Sequence, residues 1–191
     1  MTQAILRMPV TATFTSDQFY DLCQANPSWK LERTAQGDLV IMAPTGGETG
    51  ARNATLLIRL GIWNEQFQLG VVFDSSTGFQ LPNGANRSPD VAWVKHDRWN
   101  ALTPQQREKF PPLAPDFVIE LMSPSDDLTE AQAKMQEYIE NGVQLGWLFN
   151  RCAKQVEIYR PGQPKDTLQR PTQLSENVIL PSFVLKLDGF W

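Results

Sequence analysis

The chain of 191 residues is long enough for one domain with a proper core, and its 41% hydrophobic and 10% aromatic content excludes a disordered or fibrous protein. A formal charge of −4 and an isoelectric point near 5.0 exclude a dedicated nucleic-acid coat protein but permit an enzyme that touches DNA transiently. No apolar run approaches a membrane span, and the two cysteines have neither metal-site nor disulfide spacing, so we expect a soluble, cytoplasmic protein.

The N-terminal part of the chain predicts a helix followed by a β-hairpin. Thr13, Thr15 or Ser16 can cap a helix over about residues 17–26, which Pro27 ends. Alternating residues 29–33 and 38–42 then flank a turn, a pattern typical of two antiparallel strands. We interpret both elements as packing structure.

A glycine-rich turn at residues 43–50 leads into a long amphipathic helix that reaches Phe67. A turn of this kind could cradle a phosphate, but no Lys-Ser/Thr pair follows it as in a P-loop, so a flexible connection is favoured. The apolar stripe of the helix is predicted at Ala54, Leu57, Ile58, Ile62 and Glu65.

The middle of the chain places one carboxylate at the mouth of an apolar strand. Residues 71–73 and 77–81 are predicted as strands, and Asp90 directly precedes the apolar run 91–94. Asp90 could equally be a simple strand-entry residue after Pro89. Residues 95–115 are rich in proline and charged residues, which indicates a surface segment with a short helix near 104–109 that returns the chain to the sheet.

A second carboxylate, Glu120, lies inside the apolar strand 115–122. An ionised carboxylate is costly to bury alone, so Glu120 must lie at a strand end, pair with a cation or bind metal. The helix that follows carries Lys134 at the edge of its apolar arc, where the side-chain stem can lie on the core and the ammonium can reach the strand end. A purely structural Glu120–Lys134 ion pair is the competing interpretation.

Two carboxylates and a lysine are the groups that a phosphodiester-cleaving metal site needs. Asp90 can lie roughly 5 Å from Glu120 between backbones if their strands adjoin through a crossover, whereas Asp116 is roughly 13 Å from Glu120 along one strand. Glu48 is a weaker candidate for an accessory metal ligand, because a Glu early in a helix is commonly a cap or dipole partner. His96 is interpreted as a surface residue.

The C-terminal part predicts two strands at residues 145–149 and 155–160, followed by a polar tail with apolar patches at 178–180 and 183–185. These patches, which end in Phe190 and Trp191, could add an edge strand or form a homodimer surface. No repeat, low-complexity tract or linker divides the chain, so residues 1–191 are expected to form a single α/β domain.

Several motifs follow one another along the chain: MAPTGG at 42–47, SPDVAWV at 88–94, PDFVIELMSPSD at 115–126, Lys134 with Tyr138, and GVQLGWL at 142–148. In this order they resemble the Uma2 family, which was earlier a domain of unknown function and is abundant in cyanobacteria. The resemblance runs from about residue 31 to 160 and implies a restriction-endonuclease-like fold of the PD-(D/E)XK superfamily, with a mixed central sheet flanked by helices and a β-rich N-terminal elaboration.

By this similarity the chain is expected to be a Mg²⁺- or Mn²⁺-dependent endonuclease acting on DNA. Asp90 takes the motif aspartate, Glu120 the acidic position of the (D/E)XK element and Lys134 the displaced lysine. The standard lysine position, two residues after Glu120, holds Met122. Asp90 and Glu120, with Glu48 as an accessory ligand, would then bind metal, and Lys134 would orient a water. The alternative is a catalytically silent binding or assembly protein that retains the fold.

Overall fold

The computed structural model describes residues 3–191, whose strands form three sheets. The helices are α1 (Ser16–Ala25), α2 (Gly47–Phe67), α3 (His96–Asn100), α4 (Pro104–Glu108) and α5 (Leu128–Glu140), with a 3-10 turn at Val10–Ala12. The strands are β1 (Gln3–Leu6), β2 (Lys30–Arg33), β3 (Leu39–Met42), β4 (Gly70–Asp74), β5 (Phe79–Gln80), β6 (Asn86–Arg87), β7 (Val91–Lys95), β8 (Phe117–Met122), β9 (Leu145–Asn150), β10 (Gln155–Tyr159), β11 (Asp166–Gln169), β12 (Gln173–Ser175) and β13 (Val184–Lys186).

The central sheet has six strands in the order β11-β10-β9-β8-β7-β4 and is mixed. β8 and β9 run parallel, and α5 forms the crossover between them, while the other neighbours are antiparallel. The strands of Asp90 and Glu120 adjoin as predicted, but the expected crossover between them is wrong. β7 and β8 are antiparallel, because the segment with α3 and α4 connects the end of β7 to the start of β8 at the same end of the sheet.

Helices cover both faces of this sheet, which confirms the predicted mixed sheet flanked by helices. On one face, Met135 and Tyr138 of α5 are fully buried in a cluster with Val118 and Leu148 of the sheet. On the other face, α2 packs with the C-terminal tail against the sheet's aromatic residues. Complete burial of each large apolar side chain contributes about 1.5–3 kcal/mol to folding.

The buried stripe of α2 differs from the predicted one. Leu56, Leu60 and Trp63 are buried, whereas Ile58 and Ile62 are 58% and 61% exposed. Both sets follow a helical spacing, because this helix has apolar residues on more than one side. Tertiary packing decides which of the two sets is buried. The tail packs on the Trp63 side, where the indole Nε1 donates to the carbonyl oxygen of Pro181 at 2.9 Å.

Part of the apolar C-terminal tail belongs to the chain's own core. Leu180, Phe183 and Leu185 are almost fully buried, and β12 pairs with β13 as a separate ribbon. The Phe183 ring lies 5.4 Å from Trp63 and 6.1 Å from Trp147, measured between ring centroids.

The other part of the predicted patches faces solvent. Val178 is 81% exposed and Val184 is 47% exposed. The homodimer surface stays a prediction.

A second sheet, ordered β1-β3-β2-β6-β5, forms the β-rich N-terminal part and contains the predicted hairpin. α1 packs on it through Phe19, which is buried with Leu31 and Leu39. Strands β2 and β6 of this sheet reach α5 of the central unit through side-chain contacts. No helix within residues 3–191 combines the length and apolar character needed to cross a bilayer.

Candidate functional site

Asp90 and Glu120 lie side by side across two neighbouring strands. In the antiparallel pair of β7 and β8, Val91 lies opposite Ile119, and continuing that register by one residue puts Asp90 opposite Glu120. Asp90 is only 5% exposed, and its Oδ2 accepts a hydrogen bond from the Leu121 N–H at 2.8 Å. Its Oδ1 accepts from Asn53 Nδ2 of α2 at 3.1 Å, so both oxygens are held in fixed directions.

Lys134 reaches this pair from the first half of α5. Its Nζ lies 2.8 Å from Glu120 Oε1 and 2.9 Å from Glu32 Oε1. One helical turn later, the Tyr138 hydroxyl donates to the same Glu120 oxygen at 2.9 Å. The structure thus brings Asp90, Glu120 and Lys134 together, as the sequence predicted.

Sequence reasoning missed Glu32, the second carboxylate of Lys134. It is 2% exposed, accepts from the Ser88 N–H at 2.9 Å and pairs with Arg87 Nη1 at 3.1 Å. Arg87 in turn donates through Nε to Glu137 of α5 at 2.6 Å. The local sequence gives no signal for Glu32, since it stands at the polar position of an alternating hairpin strand.

The pKa values of the two carboxylates that share Lys134 shift in opposite directions. Burial alone would raise the pKa of Glu32, but Lys134, Arg87 and the Ser88 N–H lower it from 4.5 to about 2. Burial raises the pKa of Glu120 from 4.5 to about 7, with help from the charges of Asp90 and Glu32, and Lys134 offsets only part of that rise.

Lys134 remains protonated in this setting. Burial would lower its pKa, but the charges of Glu120 and Glu32 outweigh that effect and raise it above its usual value of 10.5. The group can therefore donate hydrogen bonds and supply positive charge at neutral pH, but it cannot accept a proton.

These groups lie in an acidic cleft of about 560 Å³ between the N-terminal sheet, β8 and α5. The carboxylates that line it are Glu32, Asp90, Glu120, Asp126, Asp127, Glu130 and Glu137. Arg87 and Lys134 are the cations of the lining. Seven carboxylates against two cations leave the lining with a net charge of −5 when all are ionised, which favours a cation as ligand.

The donor atoms at Asp90 fit a hard divalent ion. Asn53 Oδ1 is buried and has no hydrogen-bond partner among residues 3–191, although its amide nitrogen contacts Asp90. Within residues 3–191, no group of three or more His, Cys, Asp or Glu is arranged so that it could hold a metal ion by itself. Mg²⁺ commonly binds through one or two carboxylates and keeps several waters, so the carboxylates of Asp90 and Glu120 suit it.

The other candidates lie outside this group. Glu48 is exposed and its carboxylate pairs with Arg52 and with Arg151, the latter at 3.5 Å, so the structure does not bring it to Asp90. Asp116, at the opposite end of β8, accepts from the Lys95 N–H at 2.9 Å and pairs with Arg98 at 3.1 Å. Its role is structural, in keeping with its predicted distance from the site.

Two further site residues had a usable signal in the sequence. Arg87 lies three residues before Asp90, within the same motif region, and its charge next to a buried carboxylate could have been noted. Asn53 falls on the buried stripe of α2, at helical spacing from Thr49 and Leu56. A correct assignment of that stripe would have predicted that Asn53 faces the sheet.

Comparisons with known proteins bear on the family and the fold. Residues 16–188 match the model of the Uma2 family, described as "Putative restriction endonuclease". A crystal structure from Anabaena variabilis ATCC 29413, described as a "putative nuclease belonging to DUF820", is 19% identical and superposes with a TM-score of 0.75, covering 92% of this chain and 96% of that one. The predicted nuclease-like fold is thereby confirmed. No curated protein matches the chain.

Proposed function

Because the chain belongs to the Uma2 family, we propose that it is a metal-dependent endonuclease that hydrolyses phosphodiester bonds of DNA. The observation that carries this proposal is the meeting of Asp90, Glu120 and Lys134 in one cleft. Two carboxylates from paired strands and a lysine from the following helix are the groups that this chemistry requires.

Asp90 and Glu120 would hold Mg²⁺ or Mn²⁺. When bound, such an ion polarises the scissile phosphate and offsets the charge that develops there. Asp90 is ready to bind because two hydrogen bonds already fix its carboxylate. Glu120 is aimed by the Tyr138 hydroxyl and by Lys134.

Lys134 acts as a donor. Since its ammonium stays protonated, it orients the attacking water or a phosphate oxygen through its N–H groups and does not remove a proton. Glu32 and Glu120 hold this ammonium from two sides. The geometry restricts the ammonium to the edge of the cleft where Asp90 lies.

A cleavage screen with matched variants tests the proposal. Labelled single- and double-stranded DNA and RNA are incubated with the protein in Mg²⁺, Mn²⁺ or EDTA. Asp90→Asn and Lys134→Met should each lower the cleavage rate by about 100-fold or more, since each removes a group that acts in the transition state. Lys109→Met is the control, because Lys109 forms a comparable 2.7 Å ion pair with Asp17 on the surface.

The control variant should retain full activity, and circular dichroism should show all three variants folded. If Asp90→Asn or Lys134→Met cleaves as fast as the unmodified protein, the assignment of the site is refuted. A preference for RNA over DNA would correct the substrate and leave the site assignment in place.

Two observations favour a catalytically silent binding or assembly protein instead. Lys134 is already satisfied by two carboxylates, and Met122 occupies the usual lysine position. Calorimetric titration with Mg²⁺ or Mn²⁺ separates the two functions. A metal site should bind with an affinity that Asp90→Asn removes, whereas a closed structural ion pair should show no binding heat.

A further inference from the structure

Cations gather at the end of the central sheet next to Asp90 and Glu120. In the parallel pair of β8 and β9, Met122 lies opposite Asn150, so Arg151 begins the following turn at the same edge as the cleft. The turn continues to Lys154, which is exposed. Arg151 is largely covered, and one of its guanidinium nitrogens faces Glu48 at 3.5 Å.

A third cation continues this row along the sheet edge. The Arg170 N–H donates to the Lys154 carbonyl oxygen at 2.6 Å, so Arg170, at the exit of β11, lies beside the β9–β10 turn. Its side chain is exposed. Because β8, β9, β10 and β11 are consecutive neighbours about 4.8 Å apart, Arg151, Lys154 and Arg170 extend roughly 5–15 Å from the Glu120 strand.

The charge of this edge is opposite to that of the cleft. Residues 150–155 and 169–173 contain no acidic side chain, although the whole chain has a formal charge of −4. Glu48 of α2 faces Arg151 at 3.5 Å and offsets part of its charge. Among the charged residues that line the cleft, seven are carboxylates and two are cations, so the cleft repels a polyanion. A nucleic-acid backbone that approaches Asp90 therefore needs its favourable contacts outside the cleft, and this edge provides them.

The backbone at two of these cations is unusual for their residue type. Lys154 has φ 54° and Arg170 has φ 45°, in the left-handed region that glycine adopts without steric cost. A turn between β9 and β10 explains the need for this conformation at Lys154. Geometry alone would favour glycine or asparagine at both positions, yet both carry long cationic side chains that project into solvent.

We propose that Arg151, Lys154 and Arg170 form a phosphate track that binds the backbone of a nucleic-acid strand as it leaves the cleft. The track deepens the proposed endonuclease function and rests on it for the identity of the ligand. Its contacts are with phosphates, so it contributes affinity and orientation without reading bases. It also gives an acidic protein a local surface suited to DNA.

Binding measured without cleavage tests the track. A short fluorescein-labelled DNA duplex and its single strand are titrated with the full chain in EDTA, by fluorescence anisotropy, over about 50 to 200 mM NaCl. The test variant carries Arg151→Gln, Lys154→Gln and Arg170→Gln. The matched control loses the same charge elsewhere, through Lys95→Gln, Lys109→Gln and Lys186→Gln, all of which are exposed positions.

The track variant should bind about tenfold or more weakly at moderate salt, and the slope of log K against log salt should fall by about 3, one unit for each lost phosphate contact. The control variant should keep the slope of the unmodified chain. Thermal melting checks that both variants are folded. Equal affinity and slope in the track variant, or no DNA binding by the unmodified chain, would overturn the track.

The same measurements separate this inference from the proposed function. If the unmodified chain binds DNA through the track but does not cleave it with Mg²⁺ or Mn²⁺, the track stands and the endonuclease proposal is rejected. If the chain cleaves DNA while the track variant binds with unchanged affinity and slope, the endonuclease stands and the track is rejected.

Discussion

Glu32 of the N-terminal sheet and Lys134 of α5 meet at 2.9 Å, although 102 positions separate them in the chain. The same ammonium lies 2.8 Å from Glu120, so one cation connects the N-terminal sheet with the proposed metal ligand. This relationship makes the site dependent on how the two sheets dock, and it gives Glu32 a measurable share in stability.

Replacing Glu32 with Gln should destabilise the protein by about 3 kcal/mol at neutral pH, because Arg87 and Lys134 lose a buried carboxylate. The pKa of Glu32 is depressed from 4.5 to about 2. A carboxylate whose pKa is lower in the folded than in the unfolded state stabilises the fold. This stabilisation is fully present above about pH 4.5 and is lost as the pH falls towards 2.

Urea denaturation of the two proteins at pH 7 and at about pH 3 measures this effect. The difference in the free energy of unfolding should be large at pH 7 and clearly smaller at the lower pH. The surface variant Asp17→Asn, which breaks the exposed pair with Lys109, should change stability by less than about 1 kcal/mol. A difference for Glu32→Gln that does not change with pH would contradict the prediction.

Metal affinity should rise with pH through the neutral range. The pKa of Glu120 is raised to about 7, so its carboxyl is largely protonated below that pH and ionised above it. A proton and a divalent ion compete for the same oxygens, so the apparent Mg²⁺ affinity should fall about tenfold for each pH unit below 7. Calorimetric titration at several pH values measures the slope.

Glu120→Gln is the control for that titration. Its Mg²⁺ affinity should be weak and should show no step near pH 7, since the residue no longer ionises. Glu48→Gln should behave like the unmodified chain, because its carboxylate faces Arg52 and Arg151. An unmodified chain whose affinity is flat between pH 6 and 8 would exclude Glu120 as a metal ligand.

A lysine at position 122 should partly replace Lys134. Met122 is two residues after Glu120 on the same strand, and both line the cleft. In a Lys134→Met background, Met122→Lys should recover cleavage by about tenfold or more, since it returns a cation to the same edge of the strand. The double variant with Met122→Leu is the comparison, and equal activity of the two would refute the idea that the helix lysine replaces the strand lysine.

Gly70 should tolerate no side chain, because β4 approaches the neighbouring strand closely there. A Cβ at this position would overlap the Val94 carbonyl oxygen and the Trp93 indole. Gly70→Ala should therefore lower the free energy of unfolding by about 2 kcal/mol. Gly61→Ala, in the middle of α2 with open space around the position, should raise it by about 0.5–1 kcal/mol. Chemical denaturation compares the two variants, and a neutral Gly70→Ala would contradict the packing described.

Local patterns in the sequence predicted much of the fold. Period-two alternation located the β2–β3 hairpin, apolar runs located β7, β8 and β9, and the spacing around Met135 and Tyr138 identified the face of α5 that packs on the sheet. A carboxylate inside an apolar strand also carried its own signal. Because burying a lone charge is costly, Glu120 required a partner, and Lys134 is that partner.

Local sequence patterns could not predict which faces of the helices and of the tail pack against each other. α2 offers two apolar stripes, and the choice of Leu56 over Ile58 depends on the tail that packs there. The same holds for the apolar tail, in which Phe183 is buried in the chain's own core while the neighbouring Val184 is 47% exposed.

The sequence by itself predicted the main helices and the strands β7, β8 and β9, and it identified Asp90, Glu120 and Lys134 as candidates for one site. The tertiary structure alone decided that Glu32 completes the site, that β7 and β8 are antiparallel, and that a row of cations flanks the acidic cleft. The physical reason is range: backbone geometry fixes periodicities within one element, whereas the docking of one sheet on another depends on the whole core.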